Sequence, residues 1–484
     1  MTTIYDRMRY PSAAHVDTHP ASLGALAQLC GLSPKRRAYR ALEIGCGEGV
    51  NLIAMAMSAP ESEFVGFDLA ATAIDIARDT AARAGVRNVL FAAADLTAIG
   101  DRFGRFDYAV AHGVYAWTPP PVQDGLMALL GQKLAPGGLG MVSYNVRPGC
   151  HIRQVLRDEL RFVTDAIADP DEKLAAARAF LEDRVKVWES EDPYRLAAAN
   201  EAKAQLAKPT HVLFHDELGE IYAPQLFSDV VAHAARHGLA YVCDAHANLL
   251  EEAFFPGART ERARRWGGDD WLRLEQLSDF DDLRRFRRSI FTPAGAPIDR
   301  RFDPARLAGL VADADLARAA PDADRAHAHA FRTAAGGEIE IDDAALAGFL
   351  DRLIAATPRA LALDDVARDA DLAAGVARLF LGGAIVLRAR PLDWTLTPGE
   401  RPRASPLARA LAAQGEEKVA SLRGGMARLG DEGVRAFLML LDGARTRDDI
   451  ARDMAARMNV PLADAAQRTP SVLAHLARLG LMQA

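Results

Sequence analysis

Between residues 40 and 145 short apolar runs alternate with amphipathic ones. ALEI (41–44), EFVGFD (63–68), NVLFAAA (88–94), FDYAVA (106–111) and GLGMVSYN (138–145) read as buried strands bounded by turn residues. LIAMAM (52–57), residues 71–85 and LLGQKL (129–134) read as the helices between them. Such alternation requires a parallel sheet with right-handed crossovers, an α/β fold. Ligands of such sheets sit at the carboxyl ends of the strands. Gly45 to Gly49, Asp68, Asp95 and His112 all fall there. Residues 151–210 change to apolar positions at three-and-four spacing, as in IRQVLRDELRFVTDAI and EKLAAARAFLEDRVKVW, and predict helices.

The sharpest signal is the turn Glu43-Ile44-Gly45-Cys46-Gly47-Glu48-Gly49 between the first strand and its helix. Glycines are needed where φ must be positive or where a ligand approaches closer than a Cβ permits. The spacing is GxGxG, whereas the dinucleotide fingerprint is GxGxxG. Asp68 at the second strand end can accept both ribose hydroxyls of a nucleoside lying across the tips. Taken singly, the glycines could only make a tight turn, Asp68 could be a helix cap and Asp95 a turn residue. Together, in order and at strand ends, they read as a site.

An acid followed by GxGxG, with Leu-Ala-Pro-Gly-Gly (134–138) before strand five, closely resembles the class I S-adenosylmethionine (SAM) methyltransferases. The resemblance implies a Rossmann-like sheet with SAM as cofactor. It places cofactor contacts at Glu43, Gly45, Cys46, Gly47, Gly49, Asn51, Asp68, Leu69, Asp95, Leu96, His112 and Tyr10. Tyr10-Pro11-Ser12, Thr18-His19-Pro20, His112-Gly113-Val114-Tyr115-Ala116-Trp117, Ser143-Tyr144-Asn145 and residues 214–245 are similar to a bacterial subfamily. That subfamily carries a methyltransferase regulatory domain, and some of its members are protein-lysine methyltransferases. Its likeness extends over residues 1–300 and makes the first 37 residues a lid.

Four segments are expected. Residues 1–150 form the SAM-binding domain with its lid, and 151–300 the helical and regulatory region. A linker and a winged-helix-like unit occupy 301–395, and a second such unit 396–484. The two units are read from a repeated order of helix, short helix, helix and strand, in which Phe349 answers Phe437. Neither third helix is basic enough for a DNA groove, with single arginines at Arg378 and Arg478. Arg284, Arg285, Arg287 and Arg288 are read as the salt-bridged face of a helix.

Net charge of −7 and a pI near 6.0 argue against wholesale nucleic-acid binding. Cys30, Cys46, Cys150 and Cys243 are scattered, with no CxxC pair, which suits a reducing cytoplasm. No leader with an apolar core and no spanning run is expected, nor any metal, because no ligand cluster stands at metal spacing. The resemblance implies a homodimer formed through the helical region, of which the sequence itself shows only that it is amphipathic.

Methyl transfer is an in-line displacement, so positioning carries the chemistry. A lysine acceptor must lose a proton first, and an apolar aromatic pocket favours the neutral amine. Tyr115, Trp117 and Tyr144 are assigned to that pocket, with His112 as a base or, better, a cofactor contact. The Asn/Asp-Pro-Pro-Tyr box of base-modifying enzymes is absent, and Thr118-Pro119-Pro120-Pro121 does not replace it. The acceptor implied first is a protein lysine. A small molecule, or a SAM sensor without transfer, are the alternatives.

Overall fold

A computed structural model describes residues 8–10, 12–320, 329–334 and 336–484. Pro11 of the Tyr10-Pro11-Ser12 match lies outside them. The centre is a seven-stranded sheet in the order β3-β2-β1-β4-β5-β7-β6. β1 (Arg40–Ile44), β2 (Glu63–Asp68), β3 (Val89–Ala93), β4 (Phe106–Ala111) and β5 (Leu134–Asn145) are parallel neighbours. β6 (Leu239–Asp244) and β7 (Phe286–Pro293) complete it, with β7 antiparallel to both β5 and β6. The sheet therefore does not end at residue 150, and its last two strands come from the stretch expected to be regulatory.

One sheet face packs on α1 (Pro20–Leu29), α2 (Val50–Ser58) and α3 (Ala71–Arg83). The other packs on α4 (Pro120–Lys133) and α9 (Phe227–Arg236). α5 (His151–Thr164), α6 (Pro170–Val187), α7 (Pro193–Leu206) and α8 (Thr210–Leu218) bury a small core of their own around Leu156, Leu160, Leu181 and Leu213. α10 (Ala258–Gly267) and α11 (Trp271–Asp281) then lead into β7.

The arginine cluster is ion-paired as expected but does not lie on a helix. Arg287, on β7, is fully buried and meets Asp279 at 2.9 Å and Glu275 at 2.8 Å, over the Phe227 ring. Arg284, Arg285 and Arg288 pair with Asp279, Glu201 and Asp17. The acids lie 5 to 271 residues from the arginines that they neutralise, so local spacing could not show a strand.

The stretch read as a linker carries structure as well. β8 (Val311–Asp313) pairs with β12 (Leu361–Ala362) and β13 (Val386–Arg388). β9 (Leu316–Ala319), β10 (His329–Thr333) and β11 (Glu338–Ile341) form a second small sheet, and Phe331 is fully buried. Alanine-rich sequence hides this core because Ala312, Ala314 and Ala330, three of its buried positions, are small. α12 (Ala344–Ala356) and α13 (Ala370–Leu381) make the helical part of the first rear unit.

The second rear unit starts with α14 (Pro406–Ala413) and the hairpin β14 (Lys418–Ala420) and β15 (Met426–Arg428). α15 (Glu432–Leu440), α16 (Arg447–Met458) and α17 (Leu462–Arg478) follow. Both units pack directly on the sheet helices. Gln414 donates to Thr80 at 2.8 Å, Arg390 pairs with Glu61, and one continuous apolar core runs from α1 to Met482.

Candidate functional site

Gly45, Gly47 and Gly49 take φ of 70°, 51° and 74°, a region that costs a Cβ-bearing residue about 1–2 kcal/mol. A Cβ at Gly45 would meet Val114 Cγ2 at 2.6 Å, and one at Gly49 would meet Phe91 at 2.6 Å. At Gly47 it would meet nothing within 4 Å. Packing therefore demands the outer glycines, while the middle one leaves open backbone facing the mouth. The N–H groups of Gly45 and Cys46 both bond to the carbonyl of Phe67 on β2, which ties the loop to the strand tips.

Asp68 is half-buried and held from both sides. Its Oδ2 accepts the Gly47 N–H at 2.9 Å and its Oδ1 the Ala70 N–H at 2.9 Å. Asp95, exposed after β3, accepts from the Thr97 N–H and hydroxyl through Oδ1. Leu69 is 54% exposed and Leu96 half-buried beside it, so both tips offer apolar surface next to a carboxylate.

Below the loop lies a buried polar chain. Glu43 Oε1 accepts from Asn51 Nδ2 at 2.7 Å, and Asn51 exchanges hydrogen bonds with Thr18 and accepts the His15 N–H. Glu43 Oε2 has no partner among the described residues. Burial, with the Asp68 charge adding to it and the Asn51 hydrogen bond opposing, pushes the Glu43 carboxyl up to about 7. Cys46, buried beside it, is raised well above an ordinary thiol by the same burial.

His112 follows β4, with its ring 4.2 Å from that of His15 and 6.1 Å from that of Phe286. Its Nδ1 is unpartnered among the described residues, and burial pulls its pKa down to about 3. It is a neutral hydrogen-bonding ring at ordinary pH. His15, Phe286 and Arg288 are site neighbours that the sequence reading missed. Only the strand register, Asn145 opposite Phe286, brings β7 to this edge.

The leader crosses the loop. Arg9 pairs with both oxygens of Glu48 and meets Glu416 at 2.9 Å. His215 bonds to the Met8 carbonyl at 2.7 Å, and Tyr10 stacks edge-on against His215. His19 caps α1 by accepting the Ala21 N–H and bonds to Ser58.

The aromatic pocket needs correction. Tyr115 and Tyr144 are 2% and 1% exposed and belong to the core beneath the sheet. Their hydroxyls bond to His233 Nδ1 and Ser289 Oγ, each at 2.8 Å. A residue at a strand end still alternates between faces, and Tyr144 falls on the α4–α9 side. Trp117 is half-buried against Tyr222, with the Arg153 and Arg157 guanidinium groups over this ring pair. A cavity of about 290 Å³ lies behind Asn51, between α2 and the rear units, rather than over the glycine loop. The expected absence of a ligand cluster also changes, since Asp124, His233 and His237 converge on the far side of α4.

These residues fit SAM: open backbone at Gly47, a braced carboxylate at Asp68 and an unpartnered acid at Glu43. Residues 41–138 match the family described as methyltransferase domain, and 209–292 the predicted methyltransferase regulatory domain. Residues 400–470 match the family described as PKMT, C-terminal winged helix domain. Uncharacterized protein RP028 of Rickettsia prowazekii is 32% identical over 236 residues, which cover 48% of this chain and 94% of that protein. The chain belongs to the SAM-dependent methyltransferases that carry a regulatory domain. This methyltransferase is also 31% identical over 301 residues to uncharacterized protein RP789 of the same organism. There the match covers 62% of the chain but 54% of the relative. PKMT2 from Rickettsia typhi, solved in complex with AdoHcy, shares the methyltransferase's fold with a TM-score of 0.84 at 24% identity. That likeness covers 98% of this chain and 99% of the other. No helix among the described residues is long and apolar enough to cross a membrane.

Proposed function

We propose that this chain transfers the methyl group of SAM to a lysine amine of a protein. The observation that carries the cofactor half is the open glycine loop with Asp68 braced at its side. The protein-lysine half is supported by the winged-helix match at 400–470, whose family carries the PKMT name. When bound, SAM supplies a sulfonium-activated methyl group. The chain's own residues orient and desolvate. Gly45 to Gly49 let the backbone come close, and Asp68 accepts hydroxyl donors without having to reorganise. His112 cannot store a proton at pH 7 with its pKa near 3, so its unpartnered Nδ1 orients a donor rather than acting as the base. The rings of His15, His112 and Phe286 line the β4–β7 edge and disfavour water around an amine.

The test is label transfer from methyl-labelled SAM into an extract of a strain lacking the gene. Methyl-lysine recovered from the protein fraction after acid hydrolysis is expected. Label confined to small molecules would refute the lysine reading, and bound SAM with no transfer would refute catalysis.

A further inference from the structure

Two histidines four residues apart, His233 and His237, project from the end of α9 toward Asp124 on α4. His233 Nε2 lies 3.0 Å and His237 Nε2 2.8 Å from Asp124 Oδ1. All three donor atoms lie within 4.8 Å of one another, and Asp124 is 59% exposed, so the group is reachable from solvent. We propose that Asp124, His233 and His237 form a divalent transition-metal site of the zinc class.

The donor chemistry selects the ion. Two imidazoles and one carboxylate suit Zn²⁺ or Co²⁺ rather than Mg²⁺ or Ca²⁺, which prefer oxygen. Three protein ligands leave one tetrahedral position for water. Bonds of about 2.0–2.1 Å require donor atoms roughly 3.3 Å apart. The exposed Asp124 carboxylate has to retreat by about half an ångström from its present hydrogen bonds, and the two imidazoles, now within 4.8 Å of each other, have to settle at that same spacing by side-chain rotation. Binding also fixes a tautomer. With Nε2 on the ion, His233 carries its proton on Nδ1 and donates it to the Tyr115 hydroxyl, now 2.8 Å away.

The position gives the ion a purpose. Asp124 belongs to the stretch matched as the methyltransferase domain, and both histidines to the regulatory match. An ion there clips the two together. Through His233 and Tyr115 it braces the turn that carries Trp117. The competing account is a hydrogen-bonded cluster in which Asp124 simply accepts from two imidazoles.

Tag-free full-length protein, stripped with chelator and dialysed, separates the two accounts. Titration with Co²⁺ should give a visible d–d band that saturates at one equivalent and disappears on adding one equivalent of Zn²⁺. His237→Gln and Asp124→Asn should each weaken Zn²⁺ binding at least about tenfold, and Tyr115→Phe by a smaller factor. Zn²⁺ should raise the Tm of the parent protein and not that of His237→Gln. Circular dichroism confirms that each variant is folded. No saturable binding by folded parent protein below ~100 μM Zn²⁺ would overturn the proposal, as would equal binding by folded His237→Gln.

Discussion

Glu43→Gln isolates the buried acid under the glycine loop. The folded-state pKa of about 7 lies above the ordinary carboxyl value of 4.5, so between the two the folded protein holds a proton that the unfolded chain has released. Stability is therefore full below pH 4.5 and is lost as pH rises through 7. A difference of about 2.5 units corresponds to roughly 3 kcal/mol at 1.36 kcal/mol per unit. The glutamine variant has no such charge to desolvate. Its Tm relative to the parent should rise by several degrees between pH 5 and pH 8.

The same charge is expected to serve the ligand. Glu43 Oε2 has no partner among the described residues, and we propose that it meets the ammonium that SAM carries. Parent affinity, measured by calorimetry, should rise from pH 5.5 to pH 7, approaching tenfold per unit well below pH 7. The window closes near pH 7.5, because an α-amino group itself titrates at about 7.7–8.0. Burial pulls His112 down to about 3, so it does not charge within this window, and burial lowers His15 as well. Glu43→Gln should bind about 10- to 100-fold more weakly at pH 7 and lose this slope. Parallel pH profiles for the two proteins, in Tm or in affinity, would refute the reasoning.

Asp68→Ala should weaken SAM binding about 10- to 200-fold by calorimetry, from the lost charge-assisted hydrogen bonds; unchanged affinity would remove Asp68 from the site. Gly47→Ala should cost about 1–2 kcal/mol of stability and most of the SAM affinity, whereas Gly49→Ala, driven into Phe91, should fail first in thermal unfolding. Tyr144→Phe should lose about 1 kcal/mol of stability and leave acceptor KM unchanged, as a core tyrosine bonded to Ser289 requires. Arg287→Leu leaves Asp279 and Glu275 without their buried partner and should destabilise by about 3–5 kcal/mol in denaturant titration.

The first five strands, the glycine loop and Asp68 were legible because each rests on local pattern: apolar runs, turn residues and an acid at a run's end. β6 and β7 were not, because their neighbours are distant in sequence and β7 carries Arg287 and Arg288 directly after Arg284 and Arg285. A strand with a buried Arg287 reads as a polar face until Glu275, Asp279 and Asp244 are seen around it. Tyr115 and Tyr144 show the opposite failure. Their place beyond strands four and five suggested a pocket, but Tyr144 alternates to the core face of β5 and Tyr115 enters the same core from the short helical turn after β4. At Asp124, His233 and His237 the sequence carries only a four-residue histidine spacing, which was passed over because the aspartate comes from another helix.

The regulatory region cannot be an appendage to a finished catalytic sheet. β7 lies between β5 and β6, so removing it would strip β5 of its antiparallel neighbour and expose the Arg287 network. The leader adds a second tie. Met8 is held by His215 of the regulatory match, Arg9 by Glu48 of the glycine loop and Glu416 of the rear unit, and His15 by Asn51 under Glu43. Arg9 is half-exposed, and ion pairs of that kind are worth about 0–1 kcal/mol each. The leader is thus attached at several weak points to three parts of the chain, all around one loop. It links the regulatory region and the rear unit to the glycine loop through contacts weaker than the backbone pairing and the Arg287 network that hold the sheet.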